Sequence, residues 1–117
     1  MAKGKKYEGG KAVLTKNDLD WLKDAEATIT AIKERIRLEG GKKERTKQEL
    51  QVQIERKRKL MEEVGKIENG RIQAAIIFRY LCKYSWREVA QKIGMGDSES
   101  SIRMAITRYL QEEGRKK

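Results

Sequence analysis

Apolar residues in this chain recur at intervals of three and four, and they never settle into strict alternation with polar ones. Leu22, Ala25, Ile29, Ile32 and Ile36 set that rhythm, and Leu19 extends it by one turn. Such spacing gathers side chains on one face of an α-helix, whereas a half-buried strand needs a period of two. The chain contains no proline, and Glu, Lys, Arg, Gln, Leu and Ala, all good helix formers, are frequent. The expected fold class is all-α.

The first helix has a clear start and stop. Thr15 and Asp18 stand at capping-box spacing, with Asp in place of the usual Glu or Gln. The stripe runs to about Leu38, and Gly40-Gly41 ends it, because glycine readily takes the left-handed conformation past a helix C-terminus. A second helix is expected over residues 45–66, with Leu50, Ile54, Met61 and Val64 on its apolar line and Val52 and Leu60 off it. Lys57 interrupts that line. Two amphipathic helices joined by a glycine turn make a helical hairpin, a candidate antiparallel coiled coil. Neither stripe can be buried by its own helix. Leu22, Ile29, Ile32, Ile36, Leu50, Ile54 and Met61 are therefore candidates for packing within the chain or for pairing with a second copy as a homodimer. The run Arg56-Lys57-Arg58-Lys59 covers a full turn, so it forms a basic collar rather than one basic face.

The chain changes character at Glu68-Asn69-Gly70, an expected turn or hinge. Most of the aromatics follow: Phe78, Tyr80, Tyr84, Trp86 and Tyr109. A helix is expected over residues 71–83. Ser85 and Glu88 then form a second capping box, and Trp86, Val89, Ala90 and Ile93 follow at helical spacing. A small residue at Ala90 lets two helices cross closely, and Gly94 ends the helix by accepting positive φ. Met95 is expected to turn back onto the core. Asp97 or Ser98 caps a last helix whose inner face is Ile102, Ala105, Ile106 and Tyr109.

This is the spacing of a helix-turn-helix. Its second helix enters the DNA major groove with short polar residues at its N-terminus. Ser98, Glu99, Ser100, Ser101, Arg103, Met104, Thr107 and Arg108 are the candidate groove residues, with Arg103 long enough to reach guanine edges. Lys83, Arg87 and Lys92 flank the preceding helix, where phosphate contacts are expected. The segments are then a basic arm at residues 1–14, the hairpin at 15–67, the helix-turn-helix at 68–112 and a basic tail at 113–117.

Charge agrees with this reading. Lys plus Arg number 28 against 18 Asp plus Glu, a formal net charge of +10, which favours a polyanionic partner. No apolar run approaches the ~20 residues that cross a bilayer, and the basic N-terminus lacks the apolar segment of a secretory signal. Without histidine, and with Cys82 as the single cysteine, the sequence offers no metal site and no histidine acid–base chemistry. Glu62-Glu63 and Glu112-Glu113 point different ways on a helix and make no carboxylate pair. The chain is expected not to be an enzyme and to need no cofactor. A lone thiol suits a reducing cytoplasm.

Arg79-Tyr80-Leu81, Ser85-Trp86-Arg87-Glu88-Val89-Ala90, Ile93-Gly94, Ser101-Ile102-Arg103 and Arg108-Tyr109-Leu110 together resemble region four of bacterial sigma factors. They look closer still to small sigma-region-four-like proteins of phages and prophages. The resemblance implies double-stranded DNA binding by the residues around 98–108, contact with host RNA polymerase, and action in the cytoplasm of a bacterial host. One departure stands out: seven residues, Met95 to Ser101, separate Gly94 from Ile102, and the usual motif has about two fewer. The expected function is a transcription regulator of phage type. Two alternatives share the same features: the DNA-recognition subunit of a phage packaging terminase, and a protein-binding antagonist of host polymerase or of a host defence nuclease.

Overall fold

The computed structural model describes residues 14–94, 96 and 98–115. Among these are five α-helices and no strand: α1 (Lys16–Leu38), α2 (Glu44–Gly65), α3 (Gly70–Ile76), α4 (Trp86–Ile93) and α5 (Glu99–Arg115). The expectations for residues 1–13, Met95, Asp97 and the last two residues lie outside the described residues.

Local signals account for the helix ends. Thr15 Oγ1 accepts from the Asp18 N–H at 3.1 Å, and the Asp18 carboxylate accepts from the Thr15 N–H at 3.1 Å, closing the capping box. Gly40 and Gly41 sit at φ of 70° and 69°, where a side chain would be strained. Asn69 is a cap rather than a hinge: its side-chain oxygen accepts from the N–H groups of Arg71 at 3.0 Å and Ile72 at 3.1 Å. Gln73 donates back to the Val64 and Gly65 carbonyls at 3.1 and 3.3 Å, tying the end of α2 to the start of α3.

The plain helix expected over residues 71–83 changes pitch partway. After α3 the chain makes a π-helical turn, Ile77–Leu81, closed by the Cys82 N–H donating to the Ile77 carbonyl at 2.9 Å. The wider turn is compatible with a buried Tyr80 and with Phe78 stacked on Tyr84, ring centroids 5.8 Å apart. The last helix also runs further than expected. Residues 113–115 belong to α5 and not to a tail.

One core serves the whole chain. Ile72, Ala75, Ile76 and Tyr80 meet Leu14, Leu19 and Leu22 from the first segment, Val64 and Ile67 from the end of α2, Val89 from α4, and Ile102 and Ile106 from α5. Leu14, the last residue of the expected arm, is thus a core residue. The first two helices and the last three are joined through this cluster rather than hinged at Glu68-Asn69-Gly70.

The hairpin is asymmetric. α1 buries Leu19, Leu22, Ala25, Ile29 and Ile32. The inward positions of α2 are mixed, with Thr46 and Val64 buried and Leu50, Gln53, Lys57 and Leu60 half-buried. Leu22, Ile29 and Ile32 are consumed inside the chain and cannot also line a dimer seam. Ile36 and Leu50 are half-buried, while Ile54 and Met61 face outward. Leu38, the expected end of the stripe, is 70% exposed, because the hairpin turn begins beside it.

Ion pairs also cross the hairpin where the α2 stripe is polar. Arg35 meets Glu49 at 2.7 Å, Arg56 meets Asp18 at 3.7 Å, and Lys57 pairs with Glu26, all across the hairpin. Lys57 holds the Glu26 carboxyl below its ordinary range by hydrogen bond and by charge. That contribution is present above the ordinary carboxylate range and fades as pH falls through it. Arg56 also lies over the Trp21 ring at 4.3 Å, and Arg58 grips Glu55 at 2.6 Å and Glu62 at 2.5 Å. The basic collar is therefore largely neutralised by its own neighbours. Exposed pairs of this kind are screened by solvent, and each adds little to stability.

Ile76 is completely buried where these elements converge. Ile76→Ala is expected to lower the unfolding free energy by ~2–5 kcal/mol in guanidinium denaturation. Val52→Ala, at a 61% exposed site, should stay within ~0.5 kcal/mol of the parent.

Candidate nucleic-acid interface

α4 and α5 are built to keep one face inward and leave the other free. Ser85 accepts from the Glu88 N–H at 3.2 Å, and Glu88 returns the bond by accepting from the Ser85 N–H at 2.9 Å. Gly94 closes α4 at φ 68°, as its position required. Val89, rather than Ala90, is the fully enclosed residue of α4, and Ala90 is half-buried. Ser98 starts α5: its Oγ accepts from the Ser101 N–H and its carbonyl from the Ile102 N–H, both at 3.1 Å. Capped in this way, α5 opens at Glu99.

Burying Ile102 and Ile106 fixes the rotation of α5. Glu99, Ser100, Ser101, Arg103, Met104, Thr107 and Arg108 are all exposed as a result, and so are Lys83, Arg87 and Lys92 on the other side of the turn. Two of the expected contact groups are otherwise engaged. The Ser98 oxygen caps its helix, and the Thr107 hydroxyl donates to the Arg103 carbonyl at 3.0 Å. Their positions stay on the surface, but their hydroxyls are committed to the backbone.

Arg87, Lys92, Arg103 and Arg108 make no ion pair among the described residues, and Lys83 makes none but lies near enough to Glu26 for its charge to help hold that carboxyl ionised. In the hairpin Arg35, Arg56, Lys57 and Arg58 are paired, while Lys23, Lys33, Lys42, Lys43, Arg45 and Lys59 are not. Lys92 lies 5.3 Å from the Tyr84 ring and Arg103 5.5 Å from the Trp86 ring, contacts that leave their charges uncompensated. A shallow groove between α4 and the start of α5 is lined by Arg87, Ala90, Gln91, Gly94, Gly96, Ser98 and Glu99. Gln91 is a polar group the sequence reading missed. It stands one turn from Arg87 on the exposed side of α4, so helical spacing alone could have identified it.

Arg79, in the π-helical turn, fastens the approach to α4. Its Nη1 donates to the Tyr84 carbonyl at 3.0 Å, and its guanidinium lies 4.7 Å from the Trp86 ring. Tyr80 meets Trp86 edge-on at 6.3 Å, and burial pushes the Tyr80 phenol above its ordinary pKa, so it stays neutral. Among the described residues no group of three or more metal-ligating side chains converges, and no helix is long and apolar enough to cross a membrane. Comparison with family models, curated proteins and solved structures finds no match for the chain.

Lys83 is the one non-glycine residue at positive φ among the described residues, at 64°. A side chain there costs on the order of 1 kcal/mol relative to glycine. Lys83→Gly is therefore expected to raise thermal stability modestly in a melting experiment. A fall in stability would mean that the lysine side chain supports the fold.

Proposed function

We propose that this chain is a sequence-reading, double-stranded-DNA-binding regulator that uses α4, the following turn and α5 as a helix-turn-helix. One observation carries the reading: the outer face of α5 and the flank of α4 present cations without carboxylate partners, on helices whose inner faces are locked into the core. Free cations on a rigid surface release counterions from DNA at little ordering cost, whereas paired ones must first be detached. In this mechanism Arg87, Lys92 and Lys83 contact phosphates and fix the register. The first turn of α5, from Glu99 through Arg103, enters the major groove. Arg103 reads guanine O6 and N7, and Met104 offers an apolar contact to a thymine methyl.

The resemblance to sigma region four supports the same assignment. It extends the proposal to a phage-type regulator acting in the cytoplasm of a bacterial host, with host RNA polymerase as a second partner.

Fluorescence anisotropy over a salt series tests the proposal. Affinity for duplex DNA should fall steeply with salt, with ~0.9 in log–log slope for each phosphate neutralised. Arg87→Ala should flatten that slope, and Arg56→Ala should not, because Arg56 is held by Asp18 and Trp21. Arg103→Ala should cost ~1–3 kcal/mol on a selected site and little on a random duplex. Absence of binding at low salt would reject the DNA reading, and tight binding to a protein alone would then favour the antagonist.

A further inference from the structure

We infer that Trp86 is a positioning residue that holds the Arg103 guanidinium over its ring and thereby sets how sharply α5 discriminates among duplex sequences. The inference rests on the duplex-binding reading above and adds to it a residue outside the recognition helix. Trp86 is itself held from the side of the π-helical turn: Tyr80 meets it edge-on, and Arg79, anchored on the Tyr84 carbonyl, lies over its ring. The indole is thus fixed by contacts that do not involve α5. Arg103 reaches it from α5, with its Cζ 5.5 Å from the ring centroid, inside the ~6 Å range of a cation–π contact.

Stacking uses the flat face of a guanidinium and leaves the N–H donors at its edge open. Those in-plane donors are what bidentate reading of guanine requires. An unstacked arginine must order several torsions on binding, and the indole removes part of that cost in advance. A half-buried tryptophan at the first position of α4 therefore acts beyond packing.

The test compares the full-length chain with Trp86→Phe and Trp86→Leu, after melting curves establish that each is folded. Affinity is measured for a selected duplex and for a random one. In parallel, the Arg103 Nε–H resonance is followed by NMR without DNA. Trp86→Leu should lower the ratio of selected to random affinity about threefold to tenfold, and leave the random-duplex affinity and its salt slope unchanged. The Arg103 resonance should lose its ring-current shift in that variant. Trp86→Phe, which keeps an aromatic face, should restore most of the ratio. Equal losses on both duplexes, or a phenylalanine variant no better than leucine, would overturn the inference. A parent chain that discriminates while Trp86→Leu discriminates equally well would overturn this inference alone. A parent chain that binds neither duplex would overturn the duplex-binding reading itself.

Discussion

Ile76 and Tyr80 are reached from three sides: by Leu19 and Leu22 of α1, by the end of α2, and by α4 and α5. The rest of the structure depends on this convergence. A chain with 39% charged and 38% hydrophobic residues has little apolar area to spend on separate cores. Placing α3 and the π-helical turn after it at the centre lets the same few side chains hold α1 and α2 together with α4 and α5. It also fixes the rotation of α5, because Ile102 and Ile106 have one place to go. The proposed reading surface is in that sense a consequence of the core.

Electrostatics adds a second layer. In the hairpin, the carboxylates of Asp18, Glu26, Glu49, Glu55 and Glu62 answer Arg35, Arg56, Lys57 and Arg58. Lys23, Lys33, Lys42, Lys43, Arg45 and Lys59 have no such partner, and neither do Arg87, Lys92, Arg103 and Arg108. Net charge does not distinguish the two regions, since each contributes an excess of base. What sets the second group apart is its place on two helices whose inner faces are held in the core by Val89, Ile102 and Ile106.

The elements controlled by local chemistry were legible in the sequence. Both capping boxes, the left-handed glycines at 40, 41 and 94, and the inner face of α5 lie where spacing and side-chain type place them. Features set by tertiary packing were not. The π-helical turn depends on how Tyr80 and Phe78 fit against distant residues. Whether Leu22, Ile29 and Ile32 face a second helix or a second chain cannot be read from periodicity, which is the same for both. The collar at Arg56 to Lys59 looks free in one dimension because its partners, Asp18 and Glu26, lie more than thirty residues away on α1. The contact of Trp86 with Arg103 is visible only with α4 and α5 brought together.

The most direct test of this account is amide NMR of the labelled chain titrated with a short duplex. The account predicts shift changes concentrated at residues 83–92 and 98–108, with residues 30–60 of the hairpin unchanged. Changes centred on the hairpin, or none in the α4–α5 region while binding occurs, would contradict it.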